Sequence, residues 1–416
     1  MSESTLVVSL VGGSHFVNHM YFMLLPPIFA ALRRDLGVGD PALGLALGVL
    51  GFVVTALQLP FGHVSDTYSR TAVLAVSLVF GAVGAVLTAT AQSYAWLLGA
   101  QVILGIGVAG HHPAHYPLLS SATDPDVRGR AYSVHGFTGA LGFAAPPAIV
   151  AVGTTLGVGW RTSLGFIAIV GALYAVVCLA AFARYVCRDV THPTAAQVAA
   201  ESSNASESPL ARILSVLGGV VTSRPLLLLT ALWFATSMAS WGVRQYTATL
   251  LTGGYGLPVT DANLVVSSML ALGAVLIFGG GWLADRLSSG TVLFAGYGAL
   301  VVVAGTLAWG GLPVVAAIAL TLVLSTTVDS SRPARAKLAD SLSAEDSVGK
   351  NFGLLTIGIS GGGAVAPPVL AVVVERWGVA PAFGIIAAVG VLALVLTAVV
   401  VAAERETSQS VTPTGE

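Results

Sequence analysis

Long apolar stretches alternate with short polar segments along almost the whole chain. A helix that rises about 1.5 Å per residue needs about 20 apolar residues to cross the hydrocarbon of a bilayer. Twelve stretches have roughly that length, so the pattern predicts twelve transmembrane helices. The predicted spans are residues 6–32, 41–62, 71–90, 94–119, 131–154, 161–183, 225–251, 260–283, 291–309, 312–333, 350–374 and 379–402.

Short motifs recur about 220 residues apart, which indicates that one membrane-embedded unit is present twice. An internal repeat of membrane spans is typical of secondary transporters. The matched segments are Gly62 to Asp66 with Gly281 to Arg286, His112 to His115 with Arg332 to Arg335, Gly129-Arg130 with Gly349-Lys350, and Pro146-Pro147 with Pro367-Pro368.

A polar stretch separates the sixth predicted span from the seventh. We therefore expect an all-α integral membrane protein whose twelve transmembrane helices form two six-helix, pseudo-symmetric bundles. The expected parts are an N-terminal bundle at 1–183, a cytoplasmic linker at 184–224, a C-terminal bundle at 225–403 and a cytoplasmic tail at 404–416.

Composition agrees with a lipid bilayer as the main partner, because only 9% of the residues are charged and a soluble domain is about one quarter charged. The net charge of −1 argues against nucleic-acid binding, and two cysteines with no metal or redox spacing suggest no cofactor. The first residues lack the features of a signal peptide, so the first span should remain in the mature protein.

The basic residues predict the orientation of the chain. With both termini in the cytoplasm, thirteen of the eighteen Lys and Arg residues fall on the cytoplasmic side, as the positive-inside rule favours. We expect a multi-pass, monomeric protein of the plasma membrane.

Nine ionisable or basic side chains fall within or close to the spans, and eight of them belong to spans one, four, seven and ten. A charge in hydrocarbon is costly, so such residues are expected to border a wet cavity. The predicted substrate or proton pathway is His15, Asn18, His19, His111, His112, His115, Arg244, Asp329 and Arg332.

Spacing and depth refine this prediction. His15 and His19 share one helix face, and Asp329 and Arg332 are placed to pair within one helix. Arg244 falls in the outer half of its span with no acid nearby in the sequence, whereas Asp329 falls toward the cytoplasmic side.

Each of these residues has a structural alternative. A single buried histidine is often a hydrogen-bonding residue, and His135, isolated on span five, fits that role best. Arg332 has the alternative of extending to the headgroups. His111 and His112 differ by about 100° around a helix, so we predict no metal site.

The loop Gly62-x-x-x-Asp66-x-x-x-Arg70 resembles the signature loop of the major facilitator superfamily, with a second copy after span eight. Thr67, Ser69 and Ser289 depart from the usual pattern of that loop. The resemblance implies two bundles that rock around a central cavity, with a cytoplasmic gate. The implied gate residues are Gly62, Asp66, Arg70, Arg128, Asp285 and Arg286.

Two segments resemble the fosmidomycin resistance-type efflux proteins of that superfamily, namely His15 to His19 followed by Leu25-Pro26-Pro27, and Gly110 to Ala114. His19 stands where that group commonly has an Asp. The fifth span partly matches an antiporter motif of spaced glycines. The residues expected to pack or bend helices are Gly139, Gly142, Pro146, Pro147, Pro367 and Pro368.

Three functions remain open at this point. The first is proton-coupled efflux of a small organic solute such as a drug, in which the histidines carry protons and Arg244 attracts an anionic group or expels a proton. The second is uptake of a small anion by symport or facilitated diffusion. The third is a membrane enzyme or metal-dependent sensor that uses the histidine cluster. We expect a transporter whose partners are a small-molecule substrate and protons, and we do not expect an enzyme.

Overall fold

The computed structural model describes residues 2–195, 197–199, 224–341 and 348–411, and these residues are almost entirely helical. We number the helices in chain order. They are α1 (Glu3–Phe22), α2 (Phe29–Leu36), α3 (Asp40–Thr67), α4 (Arg70–Ala89), α5 (Tyr94–Ala109), α6 (His111–Ala122), α7 (Pro125–Thr155), α8 (Trp160–Tyr185), α9 (Arg188–Thr191), α10 (Arg224–Thr249), α11 (Val259–Arg286), α12 (Ser289–Ala308), α13 (Val314–Asp329), α14 (Arg332–Ser341), α15 (Val348–Trp377) and α16 (Val379–Val411).

The polar segments between the apolar stretches supply the helix ends. The hydroxyls of Ser69, Ser93 and Ser288 each accept a hydrogen bond from the backbone N–H three residues later, at 3.2 Å. Such caps satisfy donors that the first turn of a helix leaves unpaired. Gly37 and Gly378 have left-handed backbone angles at two turns, a conformation that glycine adopts without a steric penalty.

Among the described residues, ten helical segments are long and apolar enough to cross a membrane. They are Asp40–Thr67, Arg70–Ala89, Tyr94–Ala122, Pro125–Thr155, Trp160–Tyr185, Leu226–Gly254, Val259–Arg286, Ser289–Ala308, Gly358–Trp377 and Val379–Ala403.

The first and tenth predicted spans are helical but fall outside that set. α1 contains His15, Asn18 and His19, which lower its mean hydropathy, and α13 has a shorter apolar part at Val314–Leu324. The two spans that miss the criterion thus carry candidate site residues. The total of twelve spans stays a prediction.

Three predicted spans are interrupted within their length. A 3₁₀ turn at Pro26–Ile28 separates α1 from α2, Gly110 separates α5 from α6, and Ser330 and Ser331 separate α13 from α14. Prolines near these breaks lack the N–H that would continue a helix. Asp329 and Arg332 pair as predicted, at 3.7 Å, but they flank a break instead of lying within one helix.

We call the end of the molecule with Glu3 and Cys187 the terminal end, and the end with Asp35 and Asp40 the opposite end. At the terminal end, the Cys187 N–H donates to the Glu3 carboxylate at 2.6 Å. This hydrogen bond lowers the pKa of Glu3. α1 packs on α6, α7 and α8, while α10 packs on α15 and α16.

The helices before and after residue 200 meet along α3 with α15 and along α7 with α11. A methyl group at Gly44 would clash with Ala371 and the Pro367 carbonyl, and one at Gly48 would lie 3.2 Å from Pro368. Glycine therefore lets α3 approach the proline pair of α15 closely.

Polar contacts join the same two sets of helices. Asn263 donates to the Pro27 carbonyl at 3.0 Å, and Ser267 donates to the Ala144 carbonyl at 2.8 Å. These contacts lie between the opposite end and mid-depth. Near the terminal end, Gly62 and Gly281 face open space. Among the described residues, the two sets are thus closed together at the opposite end.

Two predicted segments differ in extent from the structure. α9 lies inside the predicted linker, most of which falls outside the described residues. α16 continues to Val411, so the helix extends into the stretch predicted as a tail.

Candidate functional site

Six histidine rings from three helices form one cluster. His15 and His19 lie on α1, three more on α6, and His135 on α7. The ring centres of His15 lie 3.8 Å from His135, 4.6 Å from His111 and 5.3 Å from His112. All six are buried except His112, which is half-buried. We call His15, His19, His111, His112, His115 and His135 the histidine cluster.

His15 and His19 point their Nε2 atoms at each other, 3.0 Å apart. Their Nδ1–H groups donate to backbone carbonyls of α7, from His15 to His135 at 2.6 Å and from His19 to Gly139 at 2.8 Å. A methyl group at Gly139 would overlap the His15 ring, and one at Gly142 would overlap the Phe16 carbonyl. These two glycines therefore let α7 lie against α1.

A second chain of hydrogen bonds runs through His115. Its Nε2 lies 2.5 Å from the Ser14 hydroxyl, and its Nδ1 lies 3.2 Å from Nε2 of His135. Among the described residues, Nε2 of His111, Nδ1 of His112 and Oδ1 of Asn18 are buried without a hydrogen-bond partner. The cluster thus combines paired and unpaired nitrogen atoms.

One ring nitrogen from each of four histidines lies within 4.8 Å of the other three, in the set His15, His111, His112 and His135. A tetrahedral zinc site would need nitrogens about 3.3 Å apart. Among the described residues, no carboxylate forms an ion pair with these rings, so a dication would lack a balancing charge. We assign no metal here, and its absence stays a prediction.

A second group of polar side chains, the ion-pair group, lies beside the histidine cluster on helices after residue 200. Arg244 on α10 donates to the Asp329 carboxylate at 2.6 Å and also contacts the Ser240 hydroxyl. Arg332 lies 3.7 Å from the same carboxylate, with 48% of its side chain exposed. One carboxylate therefore lies beside two guanidinium groups, so the three side chains together carry a net positive charge.

Aromatic rings connect the histidine cluster with the ion-pair group. Phe143 stacks on His19 with ring centres 4.2 Å apart. The guanidinium of Arg244 lies 5.0 Å from the centre of the same Phe143 ring. Trp241 and Phe22 lie beside it, 4.9 Å from each other. The site thus extends from α1, α6 and α7 to α10, α13 and α14.

A buried arginine occupies the position that echoes His115. Arg335 contacts the Thr236 hydroxyl, and its guanidinium lies 4.4 Å from the Trp233 ring centre. Ser14 and Thr236 thus bind corresponding residues in the two halves of the repeat. The sequence analysis did not include Arg335 in the site, although the repeat could have indicated it.

The structure brings most of the predicted pathway residues together and corrects one expectation about depth. Arg244 and Asp329 were expected at different depths, but they pair. Side chains lean toward the N-terminus of their helix, and α10 and α13 run in opposite directions, so these two side chains lean toward each other.

His135 was expected to be a structural, hydrogen-bonding residue, and its role stays a prediction. It lies inside the histidine cluster, 5.3 Å from His115 by ring centres. Its position four residues before Gly139, on the small-residue face of α7, was a usable signal.

The predicted gate residues have contacts within their own part of the molecule. Arg70 donates to the Ser121 hydroxyl at 2.5 Å and the Val190 carbonyl at 2.9 Å. Arg128 donates to the Ser120 carbonyl at 3.1 Å. Arg286 lies over the Trp282 ring, and Asp285 is exposed. Their role as a gate stays a prediction.

Comparison with known proteins now identifies the family. Residues 11–331 match the model of the Major Facilitator Superfamily. The chain belongs to the major facilitator superfamily. It is therefore a multi-pass membrane transporter and not an enzyme.

Two bacterial relatives align with part of the chain. One, from Cupriavidus pinatubonensis, is named a probable 4-methylmuconolactone transporter and is 33% identical over 146 residues, 35% of this chain and 32% of that protein. The other, from Cupriavidus necator, is named a probable sulfoacetate transporter and is 30% identical over 132 residues, 31% of this chain and 30% of that protein. The chain thus aligns with about a third of each relative.

Two solved transporter structures share the fold over nearly the whole chain. A bacterial homologue of the human lysosomal transporter Spinster, in an inward-facing and occupied conformation, aligns with a TM-score of 0.76 at 14% identity, covering 95% of this chain and 96% of that one. The nucleoside transporter NupG also aligns with a TM-score of 0.76 at 14% identity, covering 95% and 99%.

Proposed function

We propose that this superfamily member carries a small organic anion across the membrane by alternating access, coupled to protons. The observation that carries the proposal is the group Arg244, Asp329 and Arg332, in which one carboxylate lies beside two guanidinium groups. Because the group has a net positive charge, it favours an anionic ligand over a cationic one.

Arg332 is the best candidate to bind the anionic group of the substrate. Arg244 is already neutralised by Asp329 at 2.6 Å, whereas Arg332 is farther from the same acid and more exposed. A guanidinium presents parallel N–H donors that match a carboxylate or sulfonate. The substrate anion would therefore be a second anionic partner for Arg332, in addition to Asp329.

The rest of the site suits an apolar or unsaturated substrate body. Phe22 and Trp241 are half-buried and lie on helices from both sides of the repeat. A ligand held between them would contact both halves, as alternating access requires. The names of the two bacterial relatives, which refer to a muconolactone and to sulfoacetate, support a small organic anion.

The state of the molecule fits one step of such a cycle. At the opposite end, the Asp40 N–H donates to Glu375 and Asn263 donates to the Pro27 carbonyl. Contacts between the two sets of helices continue past mid-depth to Gln58 with Ser360 and Phe137 with Phe278. With both termini in the cytoplasm of a cell, as we propose, the closed contacts at the opposite end fit an inward-facing state. The predicted gate residues at the terminal end would then come together in the outward-facing state.

A melting-temperature screen with charged and neutral analogues tests the substrate class, because a ligand that binds the native state raises its stability. The matched pair is benzenesulfonate and benzenesulfonamide, with sulfoacetate and 4-methylmuconolactone added. We expect anions to stabilise the wild type and to lose that effect in Arg332→Gln.

Arg376→Gln is the matched control, because Arg376 is exposed near Trp377 and away from the site. It should leave the stabilisation by anions unchanged. Equal stabilisation by benzenesulfonamide, or an unchanged effect of anions in Arg332→Gln, would contradict an anion site at Arg332.

Export in exchange for protons is the second candidate function. It is favoured by the likeness of His15 to His19 and Gly110 to Ala114 to fosmidomycin resistance-type efflux proteins, since these segments form much of the histidine cluster. Proteoliposomes with an imposed pH gradient separate the candidates. Export by exchange predicts that the anion moves against the protons, and symport predicts that it moves with them.

A further inference from the structure

We propose that His15 and His19 bind one proton between their Nε2 atoms, and that this shared proton and the substrate anion bind cooperatively. The pair would then be the coupling site of a proton–anion symporter. The shared proton stands on the geometry of the pair alone, and only its cooperation with the anion rests on the proposed function.

The argument begins with the hydrogen-bond partners of the two rings. A backbone carbonyl oxygen can only accept, so the Nδ1 atom that faces it must carry a hydrogen. Nδ1 of His15 faces the His135 carbonyl at 2.6 Å, and Nδ1 of His19 faces the Gly139 carbonyl at 2.8 Å. Both rings therefore have their Nδ1 protonated.

A neutral imidazole carries only one hydrogen on its two nitrogens. If both rings were neutral, each Nε2 would present a lone pair, and the two lone pairs would face each other at 3.0 Å. Two acceptors at that distance repel. One additional proton converts the contact into an N–H···N hydrogen bond of ordinary length, so the geometry favours a singly protonated pair.

Two features of the surroundings favour a positive charge on the pair, while burial and the charge of Arg332 oppose it. Two carbonyls accept from the outer ends of the pair, and the Phe143 ring stacks on His19 at 4.2 Å, an arrangement that stabilises a cation. The other titratable and charged groups that face the pair are His111, His112 and His115 from α6, His135 from α7, and Arg332 from α14. No acid among the described residues pairs with it.

A metal ion fits this contact less well than a proton. Two nitrogens bound to a tetrahedral zinc ion at about 2.0–2.1 Å lie about 3.3 Å apart. The observed 3.0 Å is shorter than that separation and matches a hydrogen bond.

The sign of the coupling follows from the charges. Arg332 belongs to the ion-pair group, whose Arg244 guanidinium lies 5.0 Å from the centre of the Phe143 ring that stacks on His19 at 4.2 Å. An anion bound at Arg332 would therefore offset the repulsion between this positively charged group and the protonated pair. Anion binding would therefore favour proton binding, and by linkage the proton would favour the anion. Ligands that favour each other's binding travel in the same direction, whereas an exchanger requires them to compete.

The experiment is nitrogen NMR of ¹⁵N-histidine-labelled full-length protein in liposomes at pH 7, without any substrate. We expect one imidazolium signal with a coupling across the Nε2–H···Nε2 hydrogen bond. His19→Gln should remove it, because the carboxamide N–H₂ can donate to His15 and makes the additional proton unnecessary. His192→Gln, outside the cluster, should retain it.

A proton titration of the same proteins gives a second readout that does not need an assigned spectrum. At pH 7, both His15→Gln and His19→Gln should bind one proton fewer per molecule than His192→Gln. Only neutral rings in the wild type, an imidazolium signal that persists in both variants, or a stoichiometric bound metal would overturn the proposal. Because no substrate is present, such a result would leave the proposed anion transport standing.

The coupling is tested separately, with benzenesulfonate as the probe. We expect the affinity to fall up to tenfold per pH unit above the pH at which the pair loses its proton, and to lose this dependence in His19→Gln. An anion affinity that rises with pH would contradict the symport of proton and anion. No binding of any probe anion would contradict the proposed function, while the NMR result would still decide the shared proton.

Discussion

The two halves of the repeat use the same framework with different side chains. In the first half, Ser14 contacts His115 at 2.5 Å, and in the second half Thr236 contacts Arg335. Each contact joins the first span of a half with its fourth. The first half thus places a titratable ring where the second half places a permanently charged guanidinium.

This difference suggests a division of labour between the halves. A histidine changes charge in the physiological pH range, whereas an arginine stays charged. We infer that the first half responds to protons and the second half provides a constant attraction for an anion. A proton and an anion bound at neighbouring sites can then be moved together by one rearrangement of the halves.

The largest effect should come from Asp329→Asn, which removes the acid of the ion-pair group and leaves Arg244 buried without a counter-charge. Breaking one side of a buried pair typically costs about 3–5 kcal/mol. We expect a strong fall in melting temperature and a loss of anion transport. The double variant Arg244→Gln/Asp329→Asn should regain much of the stability but not the transport.

Gly139→Ala sharpens the comparison from the side of the first half. Its methyl group would overlap the His15 ring, and overpacking of this kind costs about 1–3 kcal/mol. We expect the variant to shift His15, lose the shared proton and reduce proton-coupled transport at least tenfold. Gly136→Ala is the matched control, since that glycine faces open space. Equal transport by both variants would refute the close fit.

A smaller effect should distinguish the equivalent contacts of the two halves. Ser14→Ala removes one hydrogen-bond partner of His115, and Thr236→Val removes one hydrogen-bond partner of Arg335. Hydrogen bonds to charged groups contribute about 1.5–3 kcal/mol, against about 0.5–1.5 kcal/mol for neutral pairs. Thermal unfolding at pH 8 should therefore show a larger loss of stability for Thr236→Val. A larger loss of stability for Ser14→Ala would contradict the view that the first half has the neutral contact and the second half the charged one.

The smallest effect concerns the opposite end, away from both sites. Trp160 and Arg161 donate to the Asp35 carboxylate at 2.8 and 3.1 Å, and these hydrogen bonds lower the pKa of Asp35 below its ordinary value. A lowered pKa stabilises the folded state above the unfolded pKa of about 4, and this contribution disappears as the pH falls through the folded pKa.

Asp35→Asn should therefore lower the free energy of unfolding at pH 7 by about 1 kcal/mol or less, because the contacts are partly exposed. The melting temperature should fall slightly. Near pH 3 the difference from the wild type should shrink. A constant difference across this range would show that the carboxylate charge contributes nothing.

The sequence predicts the helical class and most of the residues that meet at the site, while the division into two six-helix bundles stays a prediction. These predictions succeed because exposing a long apolar stretch to water, or a polar side chain to lipid, costs free energy. Both features are therefore readable in the sequence. Contacts between helices that are far apart in the sequence produce no comparable pattern of residues. The pairing of Arg244 with Asp329 depends on side-chain direction and helix packing, and the position of His135 depends on which face of α7 meets α1.

The breaks in the first, fourth and tenth spans were also missed, although prolines lie near each of them. Apolar length alone does not indicate where a helix stops inside a membrane. The broken helices are the ones that present His15, His111 and Arg332, so local structure and site formation are linked in this fold.

The most direct test of the proposed division of labour is the sign of the proton flux that an anion gradient drives. Proteoliposomes that contain the purified protein and a pH-sensitive dye receive an inward gradient of an anion identified in the melting screen. The account predicts that the interior becomes more acidic, because protons enter with the anion. An interior that becomes more alkaline, or anion entry with no change in pH, would contradict it.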